Sequence, residues 1–379
     1  MRILHISEGS LPDWRIEKAA LTAKKNGHVV LFAGTVPIKT DNKVFNKIYK
    51  ITWDFRAKYN IPYYSYLLKK QIKKVLTVSN PDIIHAHQII PAKLISKFNI
   101  PYIFDDHEYS SSHARIIYEA FVLQKNKFDI YDYNLREKLR WWARTSLKKY
   151  TIRLWTKWEK EIVSNVPTIT VSNTIASDLK KLDNAKQIFV VPNYPLKNET
   201  IDIDKIEFKD KQSCVYAGSE SPKYTIAYRN IEGLVKLFKD NNIGNLILLG
   251  MQGKSSDKVF YKKFLPRESM FKEMSNYSIG LIPWKKHWSH KFMNPNKAYE
   301  YIHSGLFVMF TSDLISVSAT LKDNCETFED YDELVEKLEY YKNDSEELYR
   351  KRIKSYYFGR SNLLWEKYED NILEAYKLC

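Results

Sequence analysis

Residues 294–310 read Asn-Pro-Asn-Lys-Ala-Tyr-Glu-Tyr-Ile-His-Ser-Gly-Leu-Phe-Val-Met-Phe, and that order dictates a local structure. Pro295 has no amide hydrogen to give and suits the start of a helix, which the helix-forming run from Asn296 continues. Gly305 marks the end, because glycine adopts the left-handed conformation that closes helices. The apolar run Leu306–Phe310 then reads as a buried strand. Strands alternating with helices in this way build a parallel sheet covered on both faces.

Working outward, the same alternation recurs along the chain. Strands are expected at Arg2–Ser7, His28–Ala33, Asp82–Ala86, Tyr102–Asp105, Thr168–Val171 and Ile188–Val191, then at Ser213–Ala217, Asn245–Leu249, Ser278–Ile282 and Leu306–Thr311. Ile16–Asn26 is an amphipathic helix with Gly27 as its stop, and Leu363–Leu378 reads as a long closing helix. The series breaks at Val191-Pro-Asn-Tyr-Pro195 and the polar stretch that follows. The expected architecture is therefore α/β: two doubly wound, Rossmann-like domains facing across a cleft. Residues 1–192 plus a returning helix at 361–379 form the first and residues 211–360 the second. Ligands of such sheets bind beyond the carboxyl ends of the strands.

Composition narrows the class. The 379 residues are 44% hydrophobic and 28% charged, which suits a folded chain with a sizeable core. No run of ~20 apolar residues is present to span a bilayer. The opening residues read as a strand, not a secretory leader. Cys214, Cys325 and Cys379 are too dispersed for a disulfide framework or a cysteine zinc site, and a reducing compartment is expected. The formal charge of +15 is one-sided: residues 1–190 hold 32 Lys and Arg against 17 Asp and Glu, whereas the rest hold 28 of each. Charge confined to one half points to a polyanion or an anionic membrane facing that half.

Three motifs carry chemistry. In the first, the helix opening at Asn296 presents free amide groups and a positive dipole end to an anion, with Asn294, Asn296 and Lys297 around it and Glu300 placed to accept from vicinal hydroxyls. The alternative is a capped helix on which Lys297 and Glu300 pair at the surface. In the second, Tyr216-Ala-Gly218-Ser219, then Lys223 and Arg229, follows a strand as a phosphate loop does, or as an ordinary strand–helix turn does. In the third, Phe104-Asp-Asp-His-Glu108 ends a strand, and Asp106 and His107 are the candidate catalytic groups. A solvated acidic turn is the plainer reading. His85 and His87 belong to another strand, and no ligand spacing there specifies zinc.

In their order along nearly the whole chain, these residues resemble the retaining glycosyltransferases of family four, which have the GT-B fold. The matching segments are Asn26-Gly-His-Val-Val30, Pro81-Asp-Ile-Ile-His-Ala-His87, Asp105-Asp-His-Glu108, Val171-Ser172, Val191-Pro-Asn193, Tyr216-Ala-Gly218, Pro295–Gly305 and Trp365-Glu366 with Tyr376. The resemblance implies a donor that is a nucleoside-diphosphate sugar, bound by Gly218, Ser219, Lys223, Arg229, Asn294, Asn296, Lys297 and Glu300. It implies a glycan or lipid-linked acceptor met near Gly9, Ser10 and Arg15, with His107 beside the transferred sugar. It also implies no cofactor and no metal, because cationic side chains and a helix N-terminus receive the leaving diphosphate. Three positions depart from the family: Phe292 where the first Glu of E-x7-E stands, Ser219 where an Arg often stands, and Glu8-Gly9-Ser10 in place of Gly-Gly. A nucleotide-sugar epimerase of the same fold, or a non-catalytic relative, are the alternative functions.

One stretch lies outside that pattern. Leu135, Leu139, Trp142, Leu147, Tyr150, Leu154, Trp158 and Ile162 recur mostly every four residues, with nine Lys and Arg among residues 134–162. Arg140, Trp141, Arg144, Lys148 and Lys149 are expected to face an anionic membrane surface, since interfacial helices combine Trp, Leu and cations in this way. A core helix with a solvated basic face is the alternative. No nucleic-acid reader motif is present. The chain is expected in the cytoplasm, held peripherally at the membrane.

Overall fold

All strands in the computed structural model run parallel to their sheet neighbours. It describes residues 1–35, 42–126, 134–182, 184–206, 212–218 and 228–379. The described strands are β1 (Arg2–Ser10), β2 (Val29–Thr35), β3 (Lys47–Lys50), β4 (Ile83–His87), β5 (Tyr102–Asp106), β6 (Thr168–Thr170), β7 (Ile188–Val190), β8 (Ser213–Ala217), β9 (Asn245–Leu249), β10 (Val259–Lys262), β11 (Ile279–Ile282), β12 (Phe307–Thr311) and β13 (Cys325–Phe328). They form two sheets, β3-β2-β1-β4-β5-β6-β7 and β10-β9-β8-β11-β12-β13. The two-domain α/β expectation holds. The chain divides into one unit of Met1–Val122, Phe128–Pro192 and Tyr368–Cys379, and another of Leu123–Lys127 and Asn193–Lys367.

In the first unit the helices are α1 (Trp14–Lys25), α2 (Pro62–Ser79), α3 (Ile89–Ile95), α4 (Ser110–Asn126), α5 (Leu135–Val163) and α6 (Asn173–Leu179). In the second they are α7 (Leu234–Asp240), α8 (Arg267–Met274), α9 (Asn296–His303), α10 (Ile315–Leu321), α11 (Tyr331–Asn343) and α12 (Ser345–Asn362), and α13 (Glu369–Lys377) completes the first. Asp13 caps α1 by accepting from the amides of Arg15 and Ile16, which sets the angle at which Arg15 enters the core. The single closing helix read from residues 363–378 is in fact a 3-10 turn at Trp365–Tyr368 followed by α13. Residues 361–367 thus lie in the second unit, and only residues 368–379 in the first. There Thr22 donates to Glu369 (3.0 Å), and Asn371 donates to the Val190 carbonyl (2.9 Å).

Both sheets reverse their strand order at a central pair, β1 with β4 and β8 with β11. That reversal opens a crevice at the carboxyl ends, where ligands of doubly wound sheets are received. The second sheet holds α9 at unusually close range. A Cβ on Gly280 of β11 would lie 2.3 Å from the Tyr301 ring, and one on Gly359 of α12 would lie 2.3 Å from Ile302 Cγ2. Glycine at these two positions lets α9 lie flat between strand and helix. Gly280→Ala should therefore destabilise the second unit by ~1–3 kcal/mol. Thermal unfolding and hydrogen exchange should show the loss confined to residues 193–367, and an unchanged midpoint would exclude the close contact.

Candidate functional site

In the first unit, strand alternation and register bring four polar residues to one face. His5 of β1 pairs in register with His85 of β4, and His87 with Asp105 of β5. All four are buried, and the rings of His85 and His87 stack 4.2 Å apart. Arg15 clasps the Asp105 carboxylate with Nη2 at 2.6 Å from Oδ1 and Nε at 3.0 Å from Oδ2, and donates Nη1 to the Val191 carbonyl at 2.8 Å. Burial alone would push Asp105 upward, but the charge of Arg15 and the approach of His107 and His85 hold it well below the usual carboxylate range. Burial, with repulsion from neighbouring histidines, pushes His5 and His87 well below the ordinary histidine value.

His107 closes this cluster. Its Nε2 lies 3.0 Å from His87 Nδ1 and 3.2 Å from Asp105 Oδ2, and its side chain keeps 12% exposure. The sequence reading set His85 and His87 apart from residues 105–108; the parallel register unites them. It also treated residues 105–108 as one cluster, which alternation splits. Asp106 points to the other face and is fully buried, accepting from the Ser110 amide (3.1 Å) and hydroxyl (2.7 Å) and from Glu159 of α5. Asp106 thus ties β5 to α4 and α5, with no surface to offer a substrate. Glu108 is half exposed and pairs with His113 at 3.0 Å.

The acceptor-side residues also separate. Ser10 is exposed and Gly9 half-buried, but Arg15 is sealed in the core and committed to Asp105. Glu8, noted in the sequence only as a departure from Gly-Gly, lies near the end of β1 and is pushed up to about 7, chiefly by burial and against the pull of Lys58. A carboxyl tuned to that value is a candidate acid–base group. Its tuning comes from burial, which the sequence around it does not signal.

In the second unit, α9 presents Lys297 and Glu300 in its opening turns. The Lys297 ammonium sits 4.1 Å from the centre of the Tyr216 ring and 5.3 Å from that of Trp284, and Trp284 Nε1 donates to the Tyr216 hydroxyl at 3.1 Å. Gly218 makes room for it, since a Cβ there would stand 3.1 Å from Lys297 Nζ. Burial, with Arg229 adding to it, lowers Lys297 below the usual lysine range despite Tyr216, and its presence pulls the Tyr216 phenol down against the effect of burial. Exposed Arg229 approaches the same Trp284 ring at 5.8 Å. Neither cation meets a carboxylate within ion-pair distance among the described residues; Lys297 lies over the Tyr216 and Trp284 rings, and Arg229 approaches those of Tyr228 and Trp284.

Glu300 does not pair with Lys297. Its Oε1 takes Arg267 Nη1 at 2.6 Å, and Glu199 holds the same guanidinium from the other side at 2.6 Å. Arg267 and Glu199 lie far from α9 in sequence and carried no motif. Asn294 accepts from the Tyr299 hydroxyl and Asn296 is exposed. Phe292 ends the 3-10 turn His290–Phe292. Ser219 and Lys223 lie outside the described residues.

On the membrane question, α5 divides into two halves. Leu154, Trp155, Trp158 and Ile162 are buried, whereas Leu135, Leu139, Trp142, Leu147 and Tyr150 are exposed beside exposed Arg140, Arg144 and Lys149. Trp141 and Lys148 are half-buried, the latter 5.0 Å from the Phe121 ring. The expected single stripe is therefore core in its second half only. No described helix is long and apolar enough to cross a membrane.

Residues 18–194 match the family described as Glycosyltransferase Family 4. Solved structures extend the likeness to the whole chain. Sucrose-phosphate synthase from Thermosynechococcus elongatus is 12% identical with a TM-score of 0.72, covering 100% of this chain and 98% of that one. HepE from Anabaena, solved with UDP-glucose, is 11% identical with a TM-score of 0.68, covering 100% and 99%. WaaG, a glycosyltransferase involved in lipopolysaccharide biosynthesis, is 12% identical with a TM-score of 0.66, covering 98% and 99%. No curated protein matches in sequence. The fold of the chain is that of these proteins, the two-domain GT-B fold, and the family-four match lies within residues 18–194.

The buried carboxyl pair supplies a test of the first unit. Burial raises both Asp106 and Glu159, and the charge of Asp106 raises Glu159 further, so the folded chain keeps a proton there that the unfolded chain releases. The stability this confers is complete below the ordinary carboxylate range and declines as pH rises through the raised value. Glu159→Gln keeps the hydrogen bonds to Ser111 and Asp106 without the charge. It should raise the melting temperature of the first unit at pH 8 and change it less at pH 5. Equal effects at both pH values would show that the pair holds no proton.

Proposed function

We propose that the chain is a retaining glycosyltransferase that moves a sugar from a nucleoside-diphosphate donor to a hydroxyl of a glycan or lipid-linked acceptor. The observation that carries this reading is the pair of cations, Lys297 and Arg229, that meet no carboxylate among the described residues and are set around Trp284 beside side-chain-free Gly218. Uncompensated positive charge at a helix N-terminus and a strand end suits a diphosphate, and it stabilises the charge that develops as that group departs. In this role the two side chains supply what a divalent ion supplies elsewhere, so the diphosphate needs no metal. No hydrogen bond engages Glu300 Oε2 among the described residues, and it is the proposed acceptor for a donor hydroxyl, with Arg267 fixing its orientation. HepE, of the same fold, was solved with UDP-glucose, which supports a nucleotide-sugar donor. His107 is proposed to act in the transfer step and not in donor affinity. Retention follows if the departing phosphate takes the proton of the acceptor hydroxyl on the face it leaves.

Calorimetric titration with uridine and guanosine diphosphates tests the cradle. Lys297→Met and Arg229→Met should each weaken the diphosphate that binds by ~1.5–3 kcal/mol, the range for a hydrogen bond to a charged group. Binding should also weaken at alkaline pH, because Lys297 loses its proton sooner than an ordinary lysine. Diphosphate affinity equal to the parent in both variants would remove the two cations from the site.

The proposed setting is an anionic, cytoplasmic membrane face, met by the exposed half of α5. Five exposed large apolar residues and five exposed cations (Arg136, Lys138, Arg140, Arg144 and Lys149) there form the amphipathic pattern of an interfacial helix. Each cation near an anionic leaflet adds ~1 kcal/mol. Changing Arg140, Arg144, Lys148 and Lys149 together to Glu should abolish sedimentation with anionic vesicles while leaving the melting temperature near that of the parent. Vesicle binding unchanged by those substitutions would assign the stretch to a solvated face.

A further inference from the structure

We propose that Gln88, at the carboxyl end of β4, is a ligand-binding residue whose side-chain amide takes a hydroxyl of a saccharide where the first unit's sheet reverses its strand order. Its backbone is the first observation. With φ 71° and ψ 166°, Gln88 lies in a region essentially reserved to glycine. Asn60 and Asn80 also have positive φ, but ψ values of 32° and 62° keep them in the left-handed helical region that Asn tolerates. The Gln88 amide donates to the Asp105 carbonyl (3.0 Å), and its carbonyl accepts from the Ala92 amide (3.3 Å). Glycine would make both bonds without strain, so the turn itself gives no reason for a side chain here.

The side chain is the second observation. Oε1 of Gln88 is buried and, among the described residues, accepts no hydrogen bond. An orphaned amide oxygen is destabilising, because it has left water without gaining a donor. Two unfavourable features thus meet in one residue, and neither is offset within the fold. Strained residues that persist in this way cluster at ligand clamps.

Position is the third. Gln88 directly follows His87, and β4 with β1 is the pair at which the first sheet reverses its order, the place where doubly wound sheets receive ligands. Ile6 and Ala86 pair in register, and each chain runs on two residues from there, to Glu8 and to Gln88. Gln88 is half-buried, not sealed.

The chemistry selects the ligand. An amide oxygen repels phosphate and carboxylate and needs a donor, while the amide nitrogen beside it donates. A sugar hydroxyl both donates and accepts, and neighbouring hydroxyls can meet the two amide atoms together. Reading the occupant as the saccharide that receives the transferred sugar rests on the function proposed above. The backbone and burial of Gln88 do not depend on the diphosphate cradle of the second unit.

Two variants of the full-length chain test it. Gln88→Gly relieves the backbone and removes the orphaned oxygen, so it should raise the melting temperature of the first unit by ~2–4 °C. Gln88→Met keeps the length of the side chain without its polar atoms. Saturation-transfer NMR with the methyl glycosides of glucose, galactose, mannose and N-acetylglucosamine, with and without uridine or guanosine diphosphate, reads the ligand. The parent should bind at least one glycoside, and both variants should weaken it roughly three- to tenfold, the worth of one hydrogen bond, with diphosphate affinity unchanged. A melting temperature not raised by Gln88→Gly, no glycoside bound by the parent, or equal glycoside affinity in the variants overturns the proposal. Glycoside binding that depends on Gln88 in a chain that binds no diphosphate would keep this site and sink the transfer reading.

Discussion

The first unit depends on a single buried charge. Asp105 lies at the carboxyl end of a central strand, where an unpaired carboxylate would be strongly destabilising, and the structure answers with Arg15 from the neighbouring helix. That pairing fixes much around it. Arg15 also binds the Val191 carbonyl just after β7, so one guanidinium links α1, β5 and the end of the sheet. The imidazoles of His85, His87 and His107 then gather on the same carboxylate, and His107 inherits a defined position at the rim.

The second unit solves a different problem by a related device. Its helix α9 brings a lysine to a strand end where no carboxylate among the described residues pairs with it. Aromatic faces take that place, since Tyr216 and Trp284 offer electron-rich rings to the ammonium. Glu300, one turn further on, is kept away from the lysine by Arg267, which prevents the site from cancelling its own charge. Glycines at 280 and 359 make the required depth of packing possible.

The strand–helix alternation was legible because central parallel strands are largely apolar on both faces, as in Leu306–Phe310 and Leu246–Leu249. The three strands not read from the sequence, β3, β10 and β13, are all at sheet edges. Their residues, such as Lys47-Ile-Tyr-Lys50, are half solvated and show no apolar run. At the sites, residues that follow strands or open helices, His107, Gly218 and Lys297, were visible as motifs. Their partners were not. Arg267, Glu199 and Glu159 come from remote elements, and Glu8 owes its tuning to burial. The roles assigned to Arg15 and Asp106 shifted for the same reason, because only the folded register shows which face of a strand a side chain occupies.

The order in which the chain is made adds a consequence to the placement of α13. The first unit's sheet is encoded within residues 1–190, yet the Tyr376 hydroxyl that meets His85 and the Asn371 amide that meets Val190 arrive only with residues 368–379. During synthesis the sheet must wait, with one flank of its final strands bare, while all of the second unit emerges and folds. A ribosome that stalls anywhere in residues 193–367 therefore holds an unfinished first unit, with apolar surface of that flank uncovered until α13 emerges.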